Sequence, residues 1–182
     1  MLLATAFVVS RPVAAEDVAV PVGLQAELIA KVASYDKSFA ARAGDRAQIA
    51  ILAKSGSADS SRTAAHMQSA LGALPLVGGL AHDEHMVTYA GGAALAAYVK
   101  AKRIAIVYVT PGFAEDAGDI GTSLDGVDVL SVAAVPEYVP KGLVLGFDLV
   151  SGKPKLLVNL TQAKKQNVVF KAEVLKMMKV YE

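Results

Sequence analysis

Cysteine is missing from all 182 residues, which excludes disulfide frameworks, thiolate zinc sites, iron–sulfur clusters and cysteine nucleophiles. The phosphate-cradling patterns G-x-G-x-x-G and G-x-x-x-x-G-K-[ST] are missing too, as is the serine-hydrolase pentapeptide G-x-S-x-G. No apolar run approaches the roughly 20 residues needed to cross a bilayer, so stable membrane insertion is excluded by length. The formal net charge is only +1, and no arginine-rich stripe is interleaved with aromatics to stack on bases; nucleic acid is disfavoured as a partner.

What is present is apolar material: 54% of the residues are hydrophobic and 19% charged, which excludes intrinsic disorder. The length is that of one domain able to bury a sizeable core. Leu2–Val9 (LLATAFVV) followed by Val13-Ala14-Ala15 reads as a secretory signal peptide over residues 1–15, with small residues ahead of the cleavage point. Its basic n-region is reduced to the initiating amine, as in a leader whose start lies further upstream; the plainer alternative is a frayed apolar terminus or a first strand. Residues 16–182 are then one domain, exported to the periplasm. Removing the leader takes Arg11 and no acid, leaving a neutral chain whose charge is uneven. From Lys141 onward there are eight lysines against Asp148, Glu173 and Glu182, whereas residues 16–140 are acidic overall. Such asymmetry would orient the domain towards an acidic partner, although charged faces are more often simply solvated.

Leu24, Leu28, Ile29, Val32, Tyr35 and Phe39 recur at spacings of three and four, which predicts a helix over 22–39. Gln48–Ala53 (QIAILA) and Ile104–Val109 (IAIVYV) are continuous apolar runs, as in strands buried on both faces. A helix over 61–74, a short strand at 86–90, a helix over 93–102, a poorer helix over 113–124 and a strand at 127–133 alternate with them. Strands alternating with helices predict a mainly parallel sheet in a three-layer α/β sandwich. After Pro136 the period becomes two: Leu143–Leu149 and Leu156–Leu160 flank Ser151-Gly152 as an antiparallel hairpin at the sheet edge, where Pro154 is tolerated. A short helix capped at Asn159 or Thr161 follows, and Phe170, Val174, Met177, Met178 and Tyr181 predict a closing helix.

His82-Asp83-Glu84-His85 is the one cluster with the look of a metal site, but its neighbours place it in a loop and no third distant ligand is evident, so a solvated loop is the weightier reading. His66 takes no role. Gly91-Gly92 at a helix start is read more readily as a tight turn than as an anion site. In a parallel sheet the loops beyond the C-terminal strand ends line a crevice, here Ser55–Asp59, Gly91-Gly92, Thr110–Phe113 and Val135–Tyr138. Hydroxyls, backbone amides and Tyr138 suit weak small-ligand recognition better than acid–base catalysis. No cofactor is implied.

Gly142-Leu143-Val144-Leu145-Gly146-Phe147, a turn, Leu156-Leu157-Val158-Asn159-Leu160, then Ala163 and Val174-Leu175 resemble the ending of the YfiR-like family of exported α/β proteins. The resemblance extends over most of residues 16–182, including the initial helix Gln25–Val32. It implies a periplasmic regulator and not an enzyme. The best-known members of the family restrain an inner-membrane diguanylate cyclase by engaging its periplasmic sensor domain, so the resemblance implies an inner-membrane signalling protein of cyclase or sensor-kinase type as the partner, with a homodimer also allowed. Two departures stand out: without cysteine, the disulfide-linked switching of some relatives does not carry over, and Tyr35-Asp36-Lys37 stands where a Trp-Pro often ends the first helix. The residues singled out are Asn159, fixing the hairpin against the following helix, and Lys31, Tyr35 and Asp36, a polar patch at the end of the first helix. For each, a structural role outweighs an interaction role. The runner-up function is a periplasmic small-molecule-binding protein serving a transporter or sensor.

Overall fold

The computed structural model describes residues 16–182; the leader reading of residues 1–15 lies outside them. The described residues form a three-layer α/β sandwich around a seven-stranded sheet. Its strands are β1 (Arg46–Ala53), β2 (Ala81–Thr88), β3 (Ile104–Val109), β4 (Leu130–Ala133), β5 (Leu145–Val150), β6 (Lys153–Asn159) and β7 (Lys179–Tyr181), in the spatial order β2-β1-β3-β4-β5-β6-β7. All neighbours are parallel except the β5–β6 hairpin. The helices are α1 (Val22–Ala33), α2 (Phe39–Ala43), α3 (Ala58–Gly72), α4 (Gly92–Lys102), α5 (Ala117–Ser123), α6 (Leu160–Lys165) and α7 (Ala172–Leu175).

The apolar runs dictate the centre. All six side chains of β3 and all four of β4 are buried, because helices cover both faces. Crossovers between parallel strands are right-handed, so α3, which leads leftward from β1 to β2, and α4, which leads back past β1 to β3, must take opposite faces. The packing agrees: α1 lies against α3, and α4 against α5. Winding therefore reverses between β1 and β3, and their C-terminal ends open onto a crevice.

Four elements differ from expectation. The first helix stops at Ala33 because Ser34, Tyr35 and Asp36 close the last turn with i→i−3 bonds, after which the Asp36 carboxylate accepts the Ser38 N–H and starts α2 at Phe39. His82–His85 lie in β2, not in a loop, since the strand runs the full length of its pairing from Arg46↔Ala81 to Ala53↔Thr88. The hairpin turns on Ser151 and Gly152, both at positive φ, and its outer strand is completed by β7 over Leu157–Asn159 only, leaving Pro154 on an open stretch of edge. The closing helix is reduced to α7. The chain beyond it extends as β7, because free backbone groups on the β6 edge offer partners that a helix would leave unused.

Candidate functional site

Beyond the C-terminal end of β1, the loop from Lys54 to Ser57 leads into α3, whose first turn is capped by Ser57 Oγ accepting from Ser60 N at 3.2 Å. Lys54 N–H donates to Ser60 Oγ at 2.8 Å, Ser60 and Thr110 share a hydroxyl contact of 2.6 Å, and Thr110 Oγ1 donates to the Leu52 carbonyl at 2.6 Å. With the Thr110 proton committed to Leu52, Ser60 is the donor between the two hydroxyls. This buried relay lashes α3 to the ends of β1 and β3 and leaves neither hydroxyl free to act as a nucleophile. Above it, Lys54 Nζ pairs with Asp116 at 2.8 Å and lies 5.5 Å from the centre of the Phe113 ring, against which Tyr89 packs edge-on.

Beyond the end of β3, Gly112 sits at φ +99°, where a side chain is strained, and the loop turns three successive N–H groups towards Glu16 and Tyr138. Gly112 N donates to Glu16 Oε2 at 2.6 Å and Ala114 N to Glu16 Oε1 at 3.1 Å, while Phe113 N donates to the Tyr138 hydroxyl at 2.8 Å. The Tyr138 hydroxyl in turn donates to the Glu16 carboxylate. Tyr138 stands on the 3₁₀ turn Pro136–Tyr138 after β4; burial holds its phenol above the ordinary range, and the Glu16 carboxylate reinforces the shift. It therefore remains a donor. Lys141 Nζ, bonded to the Ala114 carbonyl at 2.7 Å, places a cation in the same cleft, of about 270 Å³, together with Asp17 and Glu137. The arrangement holds one anion, the Glu16 carboxylate, on converging neutral donors, with no poised acid–base pair among them.

The residues singled out from sequence lie elsewhere. Lys31 is exposed on α1. Tyr35 is half-buried, its carbonyl accepting the Lys171 N–H at 2.8 Å and its ring 5.7 Å from Lys171 Nζ. Asp36 does not join them in a surface patch: it is buried, receiving Arg42 Nη1 at 2.8 Å, Ser38 N and Val169 N. Asn159 caps α6 by accepting from Gln162 N at 2.9 Å and donates through Nδ2 to the Val139 carbonyl at 3.0 Å, just after the turn that carries Tyr138. In β2, successive side chains alternate, so His82 meets Glu84 on one face while His85 meets Gln48 at 2.7 Å on the other. The two imidazoles cannot share one ion, and among the described residues no group of three or more His, Asp or Glu is placed to hold a metal. Gly92 is a packing glycine; a Cβ there would enter Ser123 and Asp119 of α5.

The crevice loops after β1, β3 and β4 were readable from strand order, but Glu16, Lys54, Asp116 and the Ser60–Thr110 pair were not. Glu16 lies before the first periodic element, 96 residues from Gly112, and nothing local marks it.

Residues 23–179 match the family described as YfiR/HmsC-like. No curated protein sequence matches the chain. Similar solved structures include an ABC domain in complex with L-Trp from Streptococcus pneumonia, with 13% identity, TM-score 0.59, and 88% of this chain against 61% of that one covered. A conserved domain protein from Vibrio cholerae has 14% identity and TM-score 0.59, covering 89% and 60%. A ligand-free, open substrate binding protein with adhesive properties from Clostridium difficile has 14% identity and TM-score 0.59, covering 92% and 61%. The chain thus spans about three fifths of the length of these proteins, and at such identities the likeness is one of fold. Among the described residues no helix is long and apolar enough to cross a membrane.

Proposed function

The chain belongs to the YfiR/HmsC-like family, and from that premise we propose that it is an exported, non-catalytic regulator that docks on the periplasmic part of an inner-membrane signalling protein of diguanylate cyclase or sensor-kinase type. The observation that carries the docking reading is the β6–β7 end of the sheet. Met177 and Val180 are large apolar side chains left exposed at β7, and Leu149 and Val150, on opposite faces of the hairpin tip, are exposed beside an unpaired stretch of β6 that includes Pro154. Lys153, Lys155, Lys176 and Lys179 stand among them, within the basic C-terminal part of the chain. Exposed apolar side chains among more lysines than acids, with Asp148 lying across from Lys155, suit a protein surface with acidic borders. Lys31 on α1 and Tyr35 in the turn after it are secondary candidates for contact, and a homodimer through the same edge is a further arrangement it allows.

A second reading has its own support: the cleft at the ends of β3 and β4 is a small-ligand site in form, and the fold is shared with a protein described as substrate-binding. On that reading the chain serves a transporter or sensor by carrying a metabolite. Affinity capture of the tagged protein from membranes separates the two. Recovery of a single-pass signalling protein is the expected result; an empty capture together with a metabolite-dependent rise in melting temperature would replace the first reading by the second.

A further inference from the structure

We propose that the receptor formed by Gly112 N, Ala114 N and the Tyr138 hydroxyl is a binding site for a small monocarboxylate, and that the Glu16 side chain sits in it as the chain's own stand-in ligand. Two backbone N–H groups and one hydroxyl converge on a single carboxylate, with Gly112 N and the Tyr138 hydroxyl on Oε2 and Ala114 N on Oε1. A carboxylate accepts through both oxygens, and neutral donors fixed by the fold are the partners that discriminate it from a neutral amide. The receptor is preformed. Tyr138 is 1% exposed and pinned by the Phe113 N–H, and the loop is held open by the left-handed backbone of Gly112. Glu16, by contrast, lies before the first helix and reaches the site from the margin of the fold.

The rest of the cleft selects among anions. Lys141 supplies one positive charge, whereas Asp17 and Glu137 on the cleft wall penalise a second negative charge on the ligand. A monocarboxylate is therefore favoured over a dicarboxylate or phosphate. Because Glu16 is tethered, an external carboxylate competes against an effective concentration in the millimolar range, so the site opens to ligand only as the 16–19 segment lifts, Val20 being anchored by burial and by its bond from Gln25. This supplies the ligand chemistry for the second reading above and is independent of the docking surface at β6–β7.

Sodium acetate titrated into the full chain, followed through the amide resonances of Gly112 and Ala114 against sodium chloride at equal ionic strength, tests the site. In Glu16→Ala both amides should shift and saturate, with an apparent affinity about tenfold or more above that of the unmodified chain. Glu16→Gln should behave as Glu16→Ala does, adding Tyr138→Phe to Glu16→Ala should weaken acetate about tenfold by removing one charge-assisted donor, and succinate should bind more weakly than acetate. Amides that stay still in Glu16→Ala, or that move equally in all these proteins, overturn the site; neither result bears on capture of a membrane partner.

Discussion

Asp36 and Arg42 form a 2.8 Å ion pair from which solvent is almost wholly excluded, their side chains being 0% and 2% exposed. The remaining polar atoms are also satisfied: Arg42 reaches Asp128 Oδ1 and the Asn167 carbonyl, while Asp36 Oδ1 accepts from Ser38 N and Val169 N. One buried node thus ties the α1–α2 corner to the approach to β4 and to the segment after α6. Removing one partner strands a buried charge, so Arg42→Met is expected to lose about 3–5 kcal/mol in urea unfolding. Asp36→Asn combined with Arg42→Met should lose less than the two single losses added together.

Two glycines should respond in opposite directions. A Cβ on Gly121 would enter the backbone of Gly142, which cannot step aside, so Gly121→Ala is expected to cost about 1–3 kcal/mol. Gly23, in the first turn of α1, has open space around it, and Gly23→Ala should stabilise by about 0.4–1 kcal/mol. Thermal unfolding of both variants beside the unmodified chain reads the signs directly.

Asn159→Ala removes the α6 cap and the bond to the Val139 carbonyl together, with an expected loss of about 1–2 kcal/mol. Asn159→Ser keeps a capping oxygen but not the second bond and should fall between the two. Denaturant midpoints at constant m-value check the order.

Burial holds the phenols of Tyr108 and Tyr138 well above their ordinary value, with the Glu16 carboxylate adding to the shift at Tyr138. The native state therefore keeps both protons where the unfolded chain gives them up. Stability should be level with respect to these groups below about pH 10 and fall as pH rises beyond it. Tyr108→Phe deprives Gln25 Oε1 of its donor and lowers stability at every pH, yet the alkaline fall should become shallower. Unfolding midpoints measured across the alkaline range distinguish that change of slope from the uniform loss.

The parts of the fold that were legible in sequence are those buried on both faces. QIAILA and IAIVYV have no polar position to disguise them, and the hairpin carried its turn residues in plain view. β2 was hidden because an edge strand half-exposed on both faces has no alternation, and His82–His85 supplied polar side chains to each. The end of α1 was hidden because the apolar spacing continues through Tyr35 and Phe39, while the turn that closes the helix is held by the Asp36 carboxylate's bonds from Val169 and Arg42, which sequence spacing does not bring near. β7 was hidden because its pairing with β6 competes with a genuine helical periodicity. In the crevice the loops were legible from the order of strands, but Glu16 was not, since only the folded chain brings it to Gly112.

The most direct test of the docking account is paired capture from membranes with the unmodified chain and with Leu149→Glu/Met177→Glu, both of whose altered positions are already exposed. The account predicts that the unmodified chain recovers an inner-membrane signalling protein and that the double variant, with an unchanged melting temperature, does not. Equal recovery by both proteins, or recovery of no signalling protein by either, would contradict it.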